Sequence, residues 1–379
     1  MKKFFSFIRY LSKRIFLVTN IIAALLLLLS YLSTYVNPTE SNLLPFFGMA
    51  YPVFLLANIF FIFLWSWRKK KFVYISIITI VIGFNHLANF FQISFQSASD
   101  GLNKNSISVM QYNVRLFDWY NWTGNIKTRN EMFKMLQKEN CDIFCFQEFV
   151  YHEEKGFFET RDTLTKILDA KNYYEGYTHL VRGGHHFGIA IFSKYPIINK
   201  AALEFGNDIN NNCIYIDVKI KEDTIRIYNT HLSSIRFQKE DYQFIDSLGV
   251  KDENVRELKD GGIRIIKKLK TAFIKRGSQV DIISESIKKS PYPVILCGDF
   301  NDTPVSYTYQ SMSKILKDSF KESGNGIGNT YIGSFPSFRI DYMFHSESLK
   351  SYGYQTHPEK FSDHHAISCR IELPTIGEK

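Results

Sequence analysis

The sequence predicts an α/β (α+β) globular domain that follows three transmembrane helices. Three apolar segments occupy residues 15–36, 43–67 and 72–95. From Ile107 onward, short runs rich in Ile, Val, Phe and Tyr alternate with polar helical patterns, and this alternation is typical of a sheet covered by helices in a two-layer or four-layer arrangement. We therefore divide the chain into a membrane anchor at 1–99 and a globular domain at 100–379.

The first apolar segment, 15–36, is 22 residues long and uncharged, which is long enough to cross a hydrocarbon core of about 30 Å. A cleaved signal peptide is the alternative, but a second apolar segment follows and no small-residue cleavage site lies close by. The second segment, 43–67, has tryptophans at its end. The third segment, 72–95, is apolar in its first half and contains Asn, His and Gln in its second. We expect all three to span the membrane.

Positive charge is concentrated beside these segments. Residues 1–71 hold nine of the 46 Lys and Arg residues and one of the 37 Asp and Glu residues, which leaves 37 basic and 36 acidic residues in 72–379. The net charge of +9 is therefore no evidence for a nucleic-acid surface on the globular domain. The positive-inside rule places the basic groups at 2–14 and 68–71 in the cytoplasm. Three spans would leave the globular domain on the outer side of a bacterial inner membrane.

The five cysteines do not form a disulfide or zinc pattern. Their number is odd and their spacing irregular, and no Cys-x-x-Cys pair is present. We expect all five to be buried thiols: Cys141, Cys145, Cys213, Cys297 and Cys369.

Eight apolar runs in the globular domain are predicted strands: ISVMQYNV, CDIFCFQE, FGIAIFSKYP, CIYIDVKI, TIRIYNTHL, PVILCGDF, FRIDYMFH and HAISCRIEL. Helical patterns at about 126–139, 158–170, 277–289 and 306–317 lie between some of them.

The ends of the predicted strands carry acids, amides and histidines. One strand that ends in an acid would indicate only a solvated turn, but six such ends are difficult to explain as turns. Carboxylates with water suit a hard divalent cation such as Mg²⁺ or Mn²⁺, and an imidazole can transfer a proton near neutral pH. The pattern indicates water attack on a phosphoryl centre and involves Asn113, Glu148, Asn229, His231, Asp299, Asn301, Asp341, Asp363 and His364.

At these residues the sequence resembles the endonuclease/exonuclease/phosphatase superfamily. This group contains pancreatic-type deoxyribonucleases, apurinic endonucleases, inositol polyphosphate 5-phosphatases and neutral sphingomyelinases. The resemblance covers roughly residues 106–373 and rests on an ordered set of motifs: YNVR, QE, GIAIFSKYP, NTHL, GDFND, RIDYMF and SDHHA. It implies a four-layer α/β sandwich of two mixed β-sheets, with the active site at the rims of the sheets. One departure is Ala366, where the family usually has proline.

The resemblance also implies a role for each matched residue. Glu148 would be the principal metal ligand, with Asn113 and Asp363 close to the metal, which we expect to be Mg²⁺ or Mn²⁺. His364 would be the general base or acid, oriented by Asp341. Asp299 and Asn301 would position the water and the phosphoryl oxygens, and His231 would contact the phosphate. His185 and His186 lie in a loop that borders the substrate groove in the family, although a solvated turn is the alternative, and Asn229 is a further candidate for substrate binding.

The resemblance implies a metal-dependent phosphoesterase acting on a phosphodiester. A nuclease-type activity and a lipid headgroup phosphodiesterase (sphingomyelinase-like) or inositol-phosphate-type phosphatase remain open, because a fold does not select a substrate. A catalytically inactive binding module is disfavoured because every expected site residue is present. The expected partners are a phosphate ester, either nucleic acid or lipid headgroup, and the lipid bilayer.

The connection at 232–275 is longer than family members usually have, and we interpret it as an insertion. Its second half is basic, with apolar residues at helical spacing. Such a helix either lies in a membrane interface or packs on the domain with its charges in water.

Overall fold

We analysed a computed structural model of the chain, which describes residues 2–96, 105–154, 159–181, 184–206, 208, 211–247, 255–333 and 338–374. The boundary predicted at residue 99 and the middle of the predicted insertion, 248–254, lie outside the described residues. The chain divides into a helical unit, Met1–Phe90 with Thr303–Gln310, and a sheet unit, Phe91–Asp302 with Ser311–Lys379.

The helices, in chain order, are α1 Lys2–Leu32, α2 Leu44–Met49, α3 Tyr51–Trp67, α4 Val73–Ile82, α5 Phe84–Ala88, α6 Thr128–Glu139, α7 Thr160–Ile167, α8 Lys239–Ser247, α9 Val255–Lys288, α10 Tyr307–Ser313 and α11 Ser319–Ser323.

The prediction of three membrane spans is wrong, because only α1 among the described helices is long and apolar enough to cross a membrane. Its candidate span is Lys13–Leu32, 20 residues with a mean hydropathy of 2.5. The second predicted span is divided between α2 and α3 around Ala50, and α3 has 17 residues. The third ends after the 10 residues of α4 and continues past Gly83 as the short α5. Prolines near the start of α2 and α3 favour the beginning of a helix at those positions. Gly83 favours the end of α4.

The interior of the helical unit contains hydrogen-bonded polar side chains among apolar ones, and many apolar side chains lie on its exterior. Asn20 of α1 donates to Ser76 of α4 (2.7 Å), which donates to Asn58 of α3 (2.9 Å). Trp65 donates from its indole to Asn20 (2.9 Å). Large apolar side chains of the same helices are exposed, including Val18, Ile22 and Leu25 of α1, Val53, Leu56 and Phe63 of α3, and Ile78 and Val81 of α4. Hydrogen bonds between polar side chains, rather than a purely apolar core, therefore join the three helices.

The sheet unit contains twelve described strands in two six-stranded sheets. The strands are β1 Ser106–Asn113, β2 Ile143–His152, β3 Asn172–Val181, β4 His185–Ser193, β5 Ile197–Leu203, β6 Asn212–Ile220, β7 Asp223–His231, β8 Val294–Asp299, β9 Lys317–Asp318, β10 Asp341–His345, β11 Lys350–Thr356 and β12 Ile367–Glu372. Sheet A has the order β11-β12-β1-β2-β4-β3, and sheet B has the order β5-β6-β7-β8-β10-β9.

Each sheet has one parallel pair at its centre. In sheet A, β1 and β2 are parallel, and in sheet B, β7 and β8 are parallel; the other pairs are antiparallel. This arrangement confirms the predicted pair of mixed β-sheets. Because the carboxyl ends of parallel strands lie at the same edge, β7 and β8 end together, whereas β2 continues to His152 beyond Gln147, the partner of Asn113 at the end of β1.

The sheets pack face to face through alternate residues of their strands. Val109 and Cys145 of sheet A share a buried apolar cluster with Ile216, Ile227 and Ile295 of sheet B. The intervening residues of sheet A, such as Tyr112 and Phe144, pack against Met132 and Leu136 of α6. On sheet B, Tyr228 bonds Ser286 of α9 through its hydroxyl (2.9 Å). The period-two alternation of the strands thus separates the core between the sheets from the helix-covered faces.

Helix α9 begins far upstream of the predicted helix at 277–289 and extends through the basic part of the predicted insertion. Its apolar residues Leu269 and Phe273 are buried. Two of its cations, Arg264 and Lys268, pair with the buried Asp241. These contacts favour the interpretation of a helix that packs on its own domain. All five cysteines are free and buried, as predicted.

Candidate active site

Residues from the carboxyl ends of β1 and β8 and from the middle of β2 meet in one polar cluster. Asn113, the last residue of β1, donates from Nδ2 to Asp299 Oδ2 at the end of β8 (3.0 Å) and to Glu148 Oε1 in β2 (3.3 Å). Asp341, the first residue of β10, is the cross-strand partner of Asp299. One amide thus connects an acid of each sheet, and a third carboxylate lies beside them.

Glu148 owes its direction to a break in the β2–β4 ladder. Register is lost between Phe146 and Phe149, and Glu148 has a φ of +49°. This is a β-bulge, which bends a strand and can redirect a side chain next to a functional site. A left-handed conformation is energetically unfavourable for a residue other than glycine. The bulge therefore has an energetic cost, and it places the Glu148 carboxylate at the cluster.

The segment that follows β8 turns back on the same acid. The backbone N–H of Asn301 donates to Asp299 Oδ1 (2.8 Å), and its Nδ2 donates to the carbonyl of Leu232 (3.1 Å). Asn301 has a φ of +52°. His231, the last residue of β7, lies across the ladder from Asp299, with Nε2 3.6 Å from Oδ2. Asn301 therefore joins the end of β7 to the end of β8.

His364 lies between two buried acids. Its Nδ1 bonds Asp341 Oδ2 (2.8 Å), and its Nε2 lies 3.7 Å from Asp299 Oδ2. Burial alone would lower the pKa of His364, but the charges of Asp341 and Asp299 outweigh it and raise that pKa to about 10. Burial raises the pKa of Asp299, and Asp341 adds to the effect, while His364 and His231 oppose it. The two acids therefore favour the protonated form of His364.

A chain of buried amides holds Asp341 in place. Gln111 donates from Nε2 to Asp341 Oδ1 (2.8 Å) and to Gln147 Oε1 (2.6 Å), and Gln147 donates to Asn229 Oδ1 (2.6 Å). Asn229 Nδ2 donates to the carbonyls of Phe146 and Ala190 (both 2.9 Å), and Asn229 is fully buried. Its polar atoms are thus used inside the protein, which does not fit the predicted substrate contact and makes Asn229 a link between the two sheets.

Asp363 faces an arginine. Its Oδ2 lies 3.5 Å from Nε of Arg115, and its Oδ1 accepts from Ser362 (3.3 Å). Ser362 also donates to the carbonyl of Asn113 (2.8 Å), so the loop that carries Asp363 and His364 is attached to the end of β1. Asp363 thus pairs with Arg115 in this structure, and its predicted place close to a metal stays a prediction.

His185 and His186 lie in an aromatic group at the start of β4. The ring of His185 packs edge-on against Trp119, with centroids 4.9 Å apart, and 4.4 Å from His152. His186 bonds Glu153 (2.6 Å) and lies against Tyr151 and Tyr177. The structure therefore gives both histidines partners of their own.

Two sets of donors could hold a cation. Among the described residues, Asp299, Asp341 and His364 present ligand atoms within 4.8 Å of one another. In this set, however, Nδ1 of His364 already bonds Asp341, so only Nε2 would be open to a cation. Glu148 and Asp299 converge on the amide of Asn113. The oxygens of these two carboxylates have the chemistry that Mg²⁺ prefers, and Asn113, whose Nδ2 donates to both, positions them.

Arg276 of α9 supports the ends of β7 and β8 from behind. Its side chain is 1% exposed, its Nε forms an ion pair with Asp302 Oδ2 (3.2 Å), and its Nη1 donates to the carbonyl of Ser233 (3.2 Å). These two residues follow Asn301 and Leu232, which are themselves hydrogen-bonded. One buried guanidinium therefore connects the two loops beside the cluster.

Replacing Arg276 with alanine is expected to lower the free energy of unfolding by about 3 kcal/mol, because Asp302 would lose its buried partner. The neighbouring Lys275 is a matched control, since it is 39% exposed and pairs with Asp208 at 3.4 Å. Lys275→Ala should cost less than about 1 kcal/mol. Denaturant titrations of both variants test this; equal losses would mean that Arg276 does not hold the loops.

The supporting roles of Gln111, Gln147 and Arg276 beside the cluster were not predicted from the sequence. The alternation of β1 contained a usable signal for the first, since Ile107, Val109 and Gln111 point to the same buried face. A glutamine there requires a polar partner from the other sheet. Arg276 had no such signal, because a lysine- and arginine-rich helix does not show which cation is buried.

The sheet unit is similar to one known protein family. A family model described as "Endonuclease/Exonuclease/phosphatase family" matches residues 110–364. A second model, described as a domain of unknown function, matches residues 13–90. A comparison with curated proteins gave no match.

Several solved structures share the fold of the sheet unit. An endonuclease/exonuclease/phosphatase from Beutenbergia cavernae is 14% identical, with a TM-score of 0.52 and 72% of each chain covered. A family protein from Bacteroides thetaiotaomicron is 17% identical, with a TM-score of 0.51, and covers 72% of this chain and 100% of its own. Another protein from that species, described as a mannosyl-6-phosphatase, is 18% identical, with a TM-score of 0.47 and coverage of 71% and 100%.

Proposed function

The chain belongs to the endonuclease/exonuclease/phosphatase family, and from this premise we propose that it is a membrane-anchored, divalent-metal-dependent phosphodiesterase. The observation that carries the proposal is the buried cluster in which His364 lies between Asp341 and Asp299. Asn113 joins that cluster to Glu148. A buried acid–histidine–acid arrangement at the rims of two sheets serves no packing purpose, which disfavours an inactive binding module.

A divalent cation fits the cluster. Asp299 is a buried carboxylate whose pKa is raised by burial and by Asp341, and a cation would stabilise its charged form. We assign Glu148 as the principal ligand, with Asn113 positioning its carboxylate, and Mg²⁺ or Mn²⁺ as the ion. When bound, such an ion neutralises charge on the phosphoryl oxygens. Asp363, which pairs with Arg115, would lie outside this set.

The remaining groups would move the protons. Asp299 Oδ2 would accept a proton from the attacking water as the water oxygen forms the new bond to phosphorus. His364 Nε2, protonated and oriented by Asp341, would donate its proton to the leaving oxygen as the old bond breaks. His231 would contact a phosphoryl oxygen. Asn301 would hold the loop that aims Asp299, through its bond to Leu232.

For the substrate, we favour a nuclease-type phosphodiester over a lipid headgroup or an inositol phosphate. The basic helix α9, which was the main sequence support for a lipid surface, has Arg264 and Lys268 in ion pairs with Asp241. Incubating the full chain with Mg²⁺ and a panel of plasmid DNA, RNA, sphingomyelin-like lipid and inositol phosphates tests this choice. Preferential cleavage of DNA or RNA is expected, whereas cleavage of the lipid alone would replace it with the second candidate.

Membrane anchoring is supported by α1 and by the exterior of the helical unit. A signal sequence could have the same length and position as α1. However, Asn20 of α1 bonds both Trp65 of α3 and Ser76 of α4, so removing α1 would leave these buried groups without partners. We therefore propose that α1 is retained and anchors the chain in a bacterial inner membrane. The basic residues at 2–14, in the amino-terminal part of α1, favour a cytoplasmic N-terminus and an extracytoplasmic catalytic unit.

The full-length chain is expected to stay in the membrane fraction after a carbonate wash, with its N-terminal peptide detectable by mass spectrometry. Protease added to spheroplasts should digest the catalytic unit, with a cytoplasmic protein as the protected control. A soluble chain that lacks its first segment would identify a signal sequence, and full protection would place the catalytic unit in the cytoplasm.

A further inference from the structure

The loop that follows Asn113 is held rigidly and presents aromatic side chains. Arg115, Leu116, Phe117 and Asp118 have consecutive φ values between +44° and +56°, a left-handed turn that is rare without glycine. Phe117 is fully buried and packs against Phe133 and Phe149 of the core. The carboxylate of Asp118 accepts from the backbone N–H and the hydroxyl of Thr123. Both ends of the segment Trp119–Trp122 are therefore fastened.

Arg115 connects this loop to the cluster. Its backbone N–H donates to Asn113 Oδ1 (3.1 Å), and its Nε lies 3.5 Å from Asp363. Its guanidinium also lies over the ring of Trp122, 4.7 Å from the centroid. The Arg115 side chain thus links Asp363, the neighbour of His364, to the ring of Trp122. This ring lies at the rim of the site.

Trp122 and Tyr120 are exposed, although large aromatic side chains usually bury most of their surface. Tyr120 is 60% exposed and Trp122 is 45% exposed. Their centroids are 5.1 Å apart in an edge-to-face arrangement. Arg115 occupies one face of the Trp122 ring, and the exposed surface of the pair remains available to a ligand.

We propose that Tyr120 and Trp122 form a stacking platform for the base of a nucleotide substrate, with Arg115 between the base and the phosphate. This inference rests on the proposed function and names its substrate class. Aromatic side chains stack on bases with little sequence preference, and a guanidinium beside them suits a phosphate group. The platform would therefore hold a single nucleotide unit or the end of a single strand.

The charge of the globular domain agrees with this choice. Binding of duplex DNA depends on many cationic contacts to phosphates, but residues 72–379 contain nearly equal numbers of basic and acidic residues. Stacking of one base beside one arginine requires no extended basic surface. The structure thus favours a small or single-stranded nucleotide ester over a duplex.

The test uses the full chain in detergent with Mg²⁺ and three esters that release para-nitrophenol. These are the para-nitrophenyl ester of thymidine monophosphate, methyl para-nitrophenyl phosphate and para-nitrophenylphosphorylcholine. Trp122→Ala is expected to raise KM for the thymidine ester about tenfold to hundredfold. Its kcat/KM for the methyl ester should stay within about twofold of wild type. Trp122→Phe should restore most of the affinity, and Ile198→Ala, an exposed apolar residue on β5, is the matched control.

Equal effects of Trp122→Ala on the thymidine and methyl esters would overturn the proposal, because the base would then play no part. A selective loss with the phosphorylcholine ester would also overturn it, in favour of a lipid headgroup. Calorimetric binding of thymidine monophosphate, weakened by Trp122→Ala, tests the platform without turnover. If wild type hydrolyses none of the esters, the proposed function fails, while binding that is insensitive to Trp122 overturns the platform alone.

Discussion

His364→Ala is expected to reduce turnover by about 10²- to 10⁴-fold, the range typical of losing a general acid or base. His364 lies 2.8 Å from Asp341 and 3.7 Å from Asp299, so its removal leaves two buried acids without their shared cation. The measurement is kcat for hydrolysis of a dinucleotide, whose alkoxide leaving group needs the proton that His364 would donate, at saturating Mg²⁺. Circular dichroism and a thermal melt of the same preparation check the fold.

His365, the next residue, is the matched control for this variant. It bonds the carbonyl of Glu359 through Nδ1 (3.2 Å), and His365→Ala should keep kcat within about twofold, since this contact lies outside the acid cluster. Asp341→Asn should resemble His364→Ala, because a neutral amide would no longer favour the protonated imidazole. Wild-type turnover by a folded His364→Ala variant would show that the reaction takes place elsewhere.

Glu148→Gln is expected to lower affinity for the activating cation and to reduce activity at fixed Mg²⁺ by orders of magnitude. The substitution keeps the size of the side chain but removes the charge that a hard cation prefers. The measurement is the concentration of Mg²⁺ or Mn²⁺ that gives half-maximal activity, together with calorimetric metal binding. We expect this concentration to rise by at least about tenfold.

Glu153, which directly follows β2, provides the control for the loss of a negative charge alone. It is exposed and pairs with His186, so Glu153→Gln removes a carboxylate without touching Asn113 or Asp299. An unchanged metal requirement in Glu148→Gln would remove Glu148 from the metal site. It would then favour the group of Asp299, Asp341 and His364 as the ligands.

The inner strands could be predicted from the sequence, and the edge strands could not. All eight predicted strands occupy inner positions of the two sheets. The four strands at the sheet edges are β3, β5, β9 and β11. Inner strands are covered on both faces and read as apolar runs. An edge strand such as β5, with exposed residues over most of its length, carries too weak an apolar pattern to identify.

The apolar N-terminal region was predicted less well. Hydropathy located the three segments, but the helix ends depend on Ala50 and Gly83, and a composition argument does not weigh such single positions. The pattern also could not show that Asn20, Asn58 and Ser76 would bond one another across helices. Only the packing of the helices brings residues so far apart in the chain into contact.

At the candidate site, the strand ends were informative because parallel strands bring their carboxyl ends to a common edge. This geometry explains why His231 lies beside Asp299, whereas Asp341 reaches Asp299 as the first residue of an antiparallel strand. Contacts made by loops were not accessible in the same way. Asp363 pairs with Arg115 only because a left-handed turn follows β1, and nothing in the residue types of that turn predicts its conformation.

The most direct test of the account is hydrolysis of a dinucleotide by the full chain before and after removal of metal. The account predicts turnover with Mg²⁺ or Mn²⁺, loss of turnover after chelation, recovery when the ion is returned, and no recovery in the His364→Ala variant. Hydrolysis that persists after chelation, or that is equal in wild type and His364→Ala, would contradict it.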